Sequence, residues 1–159
     1  MFESTHILVY LAEKHMSALV PTDLAKRTEV MNWTWCLHGS APYFGQLGHF
    51  HKYAKCGPIP YAVNRYVTET RRLLSLLDQQ LEGHEWVVGA TMTVADIAWY
   101  PWIVCLDKYY AAAELVHLAE MTNVTAWMAR MAARPSVKVG MQVNGFSEDG
   151  YGAATYAAR

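Results

Sequence analysis

The sequence is short of charge. Lys and Arg number 13 and Asp and Glu number 14, together 17% of 159 residues, with a formal net charge of −1. A balance this close to zero leaves no electrostatic footprint for nucleic acid or an anionic membrane, so neither is expected as a partner. Cysteine is scarce too. Cys36, Cys56 and Cys105 are odd in number, widely spaced and form no CxxC pair, a pattern that argues against a disulfide framework or a structural zinc site. Such thiols fit a reducing compartment, and the expected location is cytoplasmic. Long apolar runs are lacking as well. The longest, Ile97 to Leu106, is ten residues and contains Pro101, against about 20 needed to span a bilayer. Strand-type alternation and internal repeats are likewise absent, which leaves helical periodicity to organise the chain.

What is abundant is aromatic and apolar. Six Trp, ten Tyr and four Phe contribute to a hydrophobic content of 53%, slightly above the range of about 45–50% usual for soluble domains. Two readings of that excess stay open. Either the core is compact and aromatic, or another domain or subunit covers part of the surface. At 159 residues the chain fits one domain able to bury about 68–70% of its unfolded surface.

The pattern predicts helices nearly throughout. The first runs from about Thr5 to Lys14 with Ser4 as its N-cap, and Glu3-Ser4 sets a carboxylate and a hydroxyl at the positive end of its dipole. Pro21-Thr22-Asp23 opens a second helix that Gly39 and Pro42 disturb, followed by a predicted loop with short helical turns from Tyr43 to Pro58. Pro60 suits the first position of a third helix, which carries Val63, Tyr66, Val67, Leu73, Leu74, Leu77 and Leu81 on one face and ends at Gly83.

Thr93-Val94-Ala95-Asp96 reads as a capping box opening a helix that is apolar all round, hence central and buried, and that runs toward Tyr109. Thr93 and Asp96 are therefore structural capping residues. A short helix is predicted near Ala111–Leu118. Another opens at Thr122 or Asn123 and ends before Pro135, with a further turn at Ser136–Gly140, and residues 141–159 read as a tail. The expected fold class is all-α.

An all-helical domain built around Thr-Val-Ala-Asp-Ile-Ala closely resembles the C-terminal domain of glutathione transferases. Glu3-Ser4 before Ile7-Leu8-Val9-Tyr10-Leu11-Ala12-Glu13-Lys14 resembles the end of that family's thioredoxin-like domain. Trp33 to Trp35, Gly39-Ser40-Ala41-Pro42, Gly48-His49-Phe50 and Ile59-Pro60-Tyr61-Ala62-Val63-Asn64-Arg65-Tyr66 look like the nu class, the glutathione-dependent disulfide-bond oxidoreductases. Trp99-Tyr100-Pro101-Trp102 and Arg134-Pro135-Ser136-Val137 fit the same class, and the resemblance covers residues 2 to about 144.

The resemblance implies a helical bundle of five to six helices and three regions. Residues 1–15 would be the last helix of the thioredoxin-like domain, 16–140 the glutathione transferase C-terminal-like helical domain, and 141–159 a tail. It also implies glutathione or glutathione disulfide as substrate and partner, with no metal. Glu3 would hold the γ-glutamyl amine, Ser4 would bond its α-carboxylate, and Arg65 would face a second glutathione or the sulfur region. Tyr43, His49 and Phe50 would line the substrate pocket.

Each role has a plainer alternative. Ser4 is also an N-cap, Glu3 also a first-turn charge, and Arg65 also a solvated or ion-paired surface residue. His49 and His51 flank Phe50 but have no third ligand at useful spacing, so packing is preferred to metal binding. Cys36 and Cys105 read as buried structural thiols, and no catalytic residue is assigned within this chain.

The family's thioredoxin-like half would lie N-terminal to Phe2, and the expectation is that this chain comes without it and is weakly active or inactive alone. Two functions follow from different classes. One is a glutathione-dependent disulfide-bond oxidoreductase of glutathione transferase type, working as a homodimer or with a partner chain over the exposed face. The other is a non-catalytic helical module for dimerisation or scaffolding in a larger assembly.

Overall fold

The computed structural model describes residues 1–143 apart from residues 56 and 58. Six helices carry the fold: α1 Ser4–His15, α2 Leu24–Gly48, α3 Pro60–Gln80, α4 Val94–Val104, α5 Thr122–Ala133 and α6 Pro135–Gly140. The described residues hold no strand, in keeping with an all-α class. Among them no helix is long and apolar enough to cross a membrane.

α4 stands at the centre because its sequence leaves it no polar face. Val94, Ala95, Ala98, Trp99, Tyr100, Ile103 and Val104 are all buried. α1 and α2 pack on it, α3 packs on α2, and α5 packs on α3. Trp99 closes the centre: its ring lies 6.1 Å from Trp33 and 6.2 Å from Phe44, and its indole N–H donates to the Trp33 carbonyl at 3.0 Å. Such a bond matters here because an indole N–H buried without a partner costs about 1–3 kcal/mol.

α4 starts on the predicted capping box. The Asp96 carboxylate accepts from the Thr93 backbone N–H at 2.8 Å and the Thr93 hydroxyl at 3.1 Å. It also accepts from the Val87 N–H and the Trp127 indole, each at 2.9 Å. One carboxylate thus joins the start of α4, the loop before it and α5.

Two predicted boundaries are overturned. α2 does not break at Gly39 or Pro42, and the loop expected from Tyr43 is helix to Gly48 followed by a π-helical turn at His49–Tyr53. Pro42 deprives the His38 carbonyl of its usual donor, at a cost of about 3 kcal/mol or more. The buried stripe nevertheless continues beyond it through Phe44 and Leu47, both 0% exposed. Burying two such side chains contributes about 3–6 kcal/mol, and Pro42 itself sits on the exposed side of the helix. Burial wins. α4 itself ends at Val104 and a π-helical segment, Cys105–Tyr109, carries the chain on to Tyr110; a Cβ at Gly48 would fall 2.4 Å from the Tyr110 ring.

The second correction concerns Ala111–Leu118, which forms turns and then a 3-10 turn at Leu118–Glu120 instead of a helix. Ala111 and His117 both have positive φ, 53° and 54°, and these left-handed residues break helical pairing at each end. α5 begins at Thr122, but its cap comes from elsewhere. Asp78 on α3 accepts from the Val124 N–H at 2.9 Å and from the Asn123 side chain at 3.2 Å. α3 starts on Pro60 as predicted and ends at Gln80, with Gly83 in the following turn at φ +72°. Of the predicted tail, residues 144–159 lie outside the described residues.

Candidate functional site

The start of α1 departs from its predicted cap. Ser4 is the first helical residue, and Glu3 takes the cap position with φ 68° and ψ 109° and no side-chain cap bond. The first helical bond runs from the Ile7 N–H to the Glu3 carbonyl at 2.9 Å, so the N–H groups of Ser4, Thr5 and His6 precede it. A positive φ at a residue other than glycine costs about 1–3 kcal/mol and persists only where the surroundings impose it. It leaves the Glu3 carboxylate beside the helix start, not on it.

His38 of α2 meets that start. Its Nδ1 lies 3.5 Å from Glu3 Oε2 and 3.3 Å from the Thr5 hydroxyl oxygen. The first separation is longer than a good hydrogen bond. Trp35 stacks edge-on against the imidazole with centroids 6.2 Å apart. Glu3 and His38 together form a wall shared by two hollows. One, of about 370 Å³, is lined by Ser4, Thr5, Ala41, Pro42 and Trp102 besides that pair. The other, of about 400 Å³, is lined by Phe2, His6 and Trp35 besides the same pair. The lining of the first hollow brings an acidic residue, Glu3, and a hydroxyl residue, Ser4, together at a helix start, residue types that can hold a zwitterion.

Arg65 does not line either hollow. It sits on α3 with its guanidinium 5.7 Å above the Tyr43 ring, and Nη1 is 3.8 Å from Glu69 Oε2. Glu69 is held far more closely by Arg72, whose Nη2 lies 2.7 Å from Oε1. The Arg72 hydrogen bonds, with Coulomb attraction from Arg72 and Arg65, hold the Glu69 carboxyl below its ordinary value. Among the described residues Arg65 therefore makes one loose ion-pair contact, and its side chain stays half-exposed.

Tyr43 is 6.3 Å from Tyr66, Phe50 stacks on Tyr66 at 5.6 Å, and His49 meets Phe50 edge-on at 5.0 Å. The structure thus gathers Tyr43, His49, Phe50 and Arg65 in one strip, with Tyr66 at its centre and His49 on the exposed rim. Among the described residues no three His, Cys, Asp or Glu side chains gather as a metal site.

Sequence reasoning missed His38, Trp102 and the linking role of Tyr66. His38 follows the buried Leu37, at the edge of α2's apolar stripe, and precedes Pro42 by one turn. A polar residue at the rim of a buried stripe was the available signal. The predicted break at Gly39 concealed it.

Comparison with known proteins agrees with this architecture. Residues 61–135 match the glutathione S-transferase C-terminal domain. The chain is 46% identical over 147 residues to the disulfide-bond oxidoreductase YghU of Escherichia coli strain K12, covering 91% of this chain and 50% of that protein. A glutathione transferase from Burkholderia graminis, solved with two glutathione molecules bound per subunit, superposes with a TM-score of 0.87 at 42% identity. The match covers 92% of this chain and 62% of that one. A glutathione transferase from Pseudomonas putida, solved with one glutathione disulfide per subunit, gives 0.86 at 37% identity over 91% of this chain and 63% of its own. The chain therefore spans about half to three-fifths of the length of these relatives. It carries a C-terminal domain of the glutathione transferase superfamily.

Proposed function

We propose that the chain is the helical portion of a glutathione-dependent disulfide-bond oxidoreductase of glutathione transferase type. The observation that carries this reading is the hollow at the start of α1. There Glu3, Ser4 and Thr5, at the start of α1, line one hollow. A γ-glutamyl group bears an ammonium and a carboxylate on one carbon. The ammonium pairs with Glu3, and the carboxylate takes the Ser4 hydroxyl and the helix N–H groups.

Arg65, outside that hollow, serves a second glutathione or the far half of glutathione disulfide, a planar fork suited to a carboxylate. Tyr43 and Phe50 supply apolar lining beside it, with His49 at the rim. The two glutathiones in the Burkholderia graminis structure and the disulfide in the Pseudomonas putida structure support a bipartite ligand.

In this reading residues 1–15 are the last helix of a thioredoxin-like unit, 16–140 the helical domain, and the remainder a tail. Phe2 is 81% exposed on the approach to α1, and Tyr10 and Leu11 are exposed on it, which supports coverage by a thioredoxin-like unit, a second copy or a partner chain. The scaffolding alternative uses the same face. The polar set at Glu3 and Ser4 favours the enzymatic reading, because a purely structural contact has no need of it.

Saturation-transfer NMR with glutathione and glutathione disulfide tests the proposal, since it detects affinities near 1 mM, about −4 kcal/mol. The expected result is strongest transfer to the γ-glutamyl protons, lost in Glu3→Gln and in Ser4→Ala. Transfer centred on the glycyl end, or unchanged in both variants, would overturn it.

A further inference from the structure

Glu3 and His38 line both hollows at the start of α1, so the carboxylate stands between two spaces. Its own backbone does not choose between them. Glu3 precedes the first helical turn, makes no side-chain cap bond and leaves its side chain about half exposed. Among the described residues His38 is the one polar side chain set against that carboxylate, with 3.5 Å from Nδ1 to Oε2. The imidazole is itself well placed. It rises from α2, meets Trp35 edge-on, and its Nδ1 lies 3.3 Å from the hydroxyl of Thr5, a buried residue. His6 is the other titratable residue of these linings, and it lines only the hollow of Phe2 and Trp35.

We propose that His38 is a positioning residue for the γ-glutamyl ammonium, holding the Glu3 carboxylate on the wall of the hollow that also contains Ser4. The inference rests on the glutathione reading above and gives a role to a residue outside α1. A neutral imidazole carries one N–H. With that proton on Nδ1, it is directed at Glu3 and Thr5. With it on Nε2, the Thr5 hydroxyl donates to Nδ1 and the carboxylate faces a lone pair. The anionic carboxylate favours the first form, and a half-exposed side chain turns readily to shorten the 3.5 Å separation. One carboxylate oxygen then takes the imidazole N–H and the other serves the ammonium. A carboxylate fixed before the ligand arrives spares the rotamer entropy otherwise lost on binding. His38 thus acts through Glu3.

Chemical-shift titration of the full chain by NMR gives dissociation constants for two ligands. One is glutathione, and the other is glutaryl-cysteinylglycine, which is glutathione without its α-amino group. His38→Leu keeps the bulk and removes the N–H, while His38→Asn sets an amide N–H near the place of Nδ1. The expected result is glutathione binding several-fold weaker in His38→Leu and largely recovered in His38→Asn. The glutaryl ligand offers Glu3 no ammonium, so it should lose no affinity in His38→Leu. Equal losses for both ligands would overturn the proposal, because a merely structural contact does not distinguish them. Glutathione bound equally by the native chain and His38→Leu, but more weakly by Glu3→Gln, would also overturn it and leave the γ-glutamyl reading standing. If Glu3→Gln itself leaves glutathione binding unchanged, that reading fails and the role of His38 falls with it.

Discussion

The indole N–H of Trp127 on α5 donates to Oδ1 of Asp96 on α4 at 2.9 Å, and both side chains are fully buried. This contact joins the best-defined local signal in the sequence to a distant tryptophan. A capping box needs only its own turn, yet here the capping carboxylate is shared with Val87 and Trp127. Asp96→Asn leaves one carbonyl oxygen for donors that now serve two carboxylate oxygens, and turns an amide N–H toward some of them. The expected loss is about 2–4 kcal/mol, read from urea unfolding.

The same residue gives a pH dependence with a definite direction. Burial raises the Asp96 carboxyl above its ordinary value, while hydrogen bonds from Val87, Thr93 and Trp127 draw it partly back. Between the unfolded and folded values the native protein holds a proton that the unfolded chain has released. The contribution from Asp96 is thus complete below the unfolded value and lost as the pH rises through the folded one. Unfolding free energies of the native sequence and Asp96→Asn, compared from acid to neutral pH, should draw closer as the pH rises. A gap that widens with pH would contradict the direction.

Gly48 sits where the end of α2 passes Tyr110, and an added Cβ would meet three atoms of that ring at 2.4–2.7 Å. Neither the buried helix end nor the packed ring can withdraw freely. Gly48→Ala is therefore expected to destabilise the fold by about 1–3 kcal/mol, as overpacking does. The check is a fall in thermal midpoint of about 2–4 °C per kcal/mol for a chain of this size. An unchanged midpoint would show that Tyr110 moves aside at no cost.

These elements divide by the range of the forces that fix them. The capping box at Thr93–Asp96 and Pro60 at the head of α3 were legible because their causes lie within one helical turn. The continuation of α2 through Pro42 was not, because it depends on Phe44 and Leu47 finding a core assembled from distant segments. The same holds for the cap of α5, which Asp78 provides from α3. In the candidate site, Glu3 and Ser4 could be named from their place before an apolar run. His38 could not be, since only tertiary packing carries it to Glu3.

Ser4 separates two roles that the sequence left joined. As an N-cap its hydroxyl would stabilise α1, and Ser4→Ala would cost about 0.5–2 kcal/mol. In the structure it lies inside the helix, where no side-chain cap bond forms. Ser4→Ala is accordingly expected to leave the urea midpoint nearly unchanged, within about 0.5 kcal/mol. A large loss of stability would restore the capping role.

Arg65 and Arg72 share Glu69 unequally, and that inequality is measurable. The Arg72 hydrogen bonds dominate the lowering of the Glu69 carboxyl, and Arg65 adds a smaller Coulomb attraction. Carboxyl titration by NMR should show the Glu69 midpoint rising further in Arg72→Ala than in Arg65→Ala. The stability tied to Glu69 is present above its unfolded value and lost as the pH falls through the lower folded value. Arg72→Ala should narrow that window, while Arg65→Ala should leave it nearly intact. If Arg65 instead proved the dominant partner, its guanidinium would be committed to Glu69 and unavailable to a second glutathione. The bipartite site would then lose its second anchor.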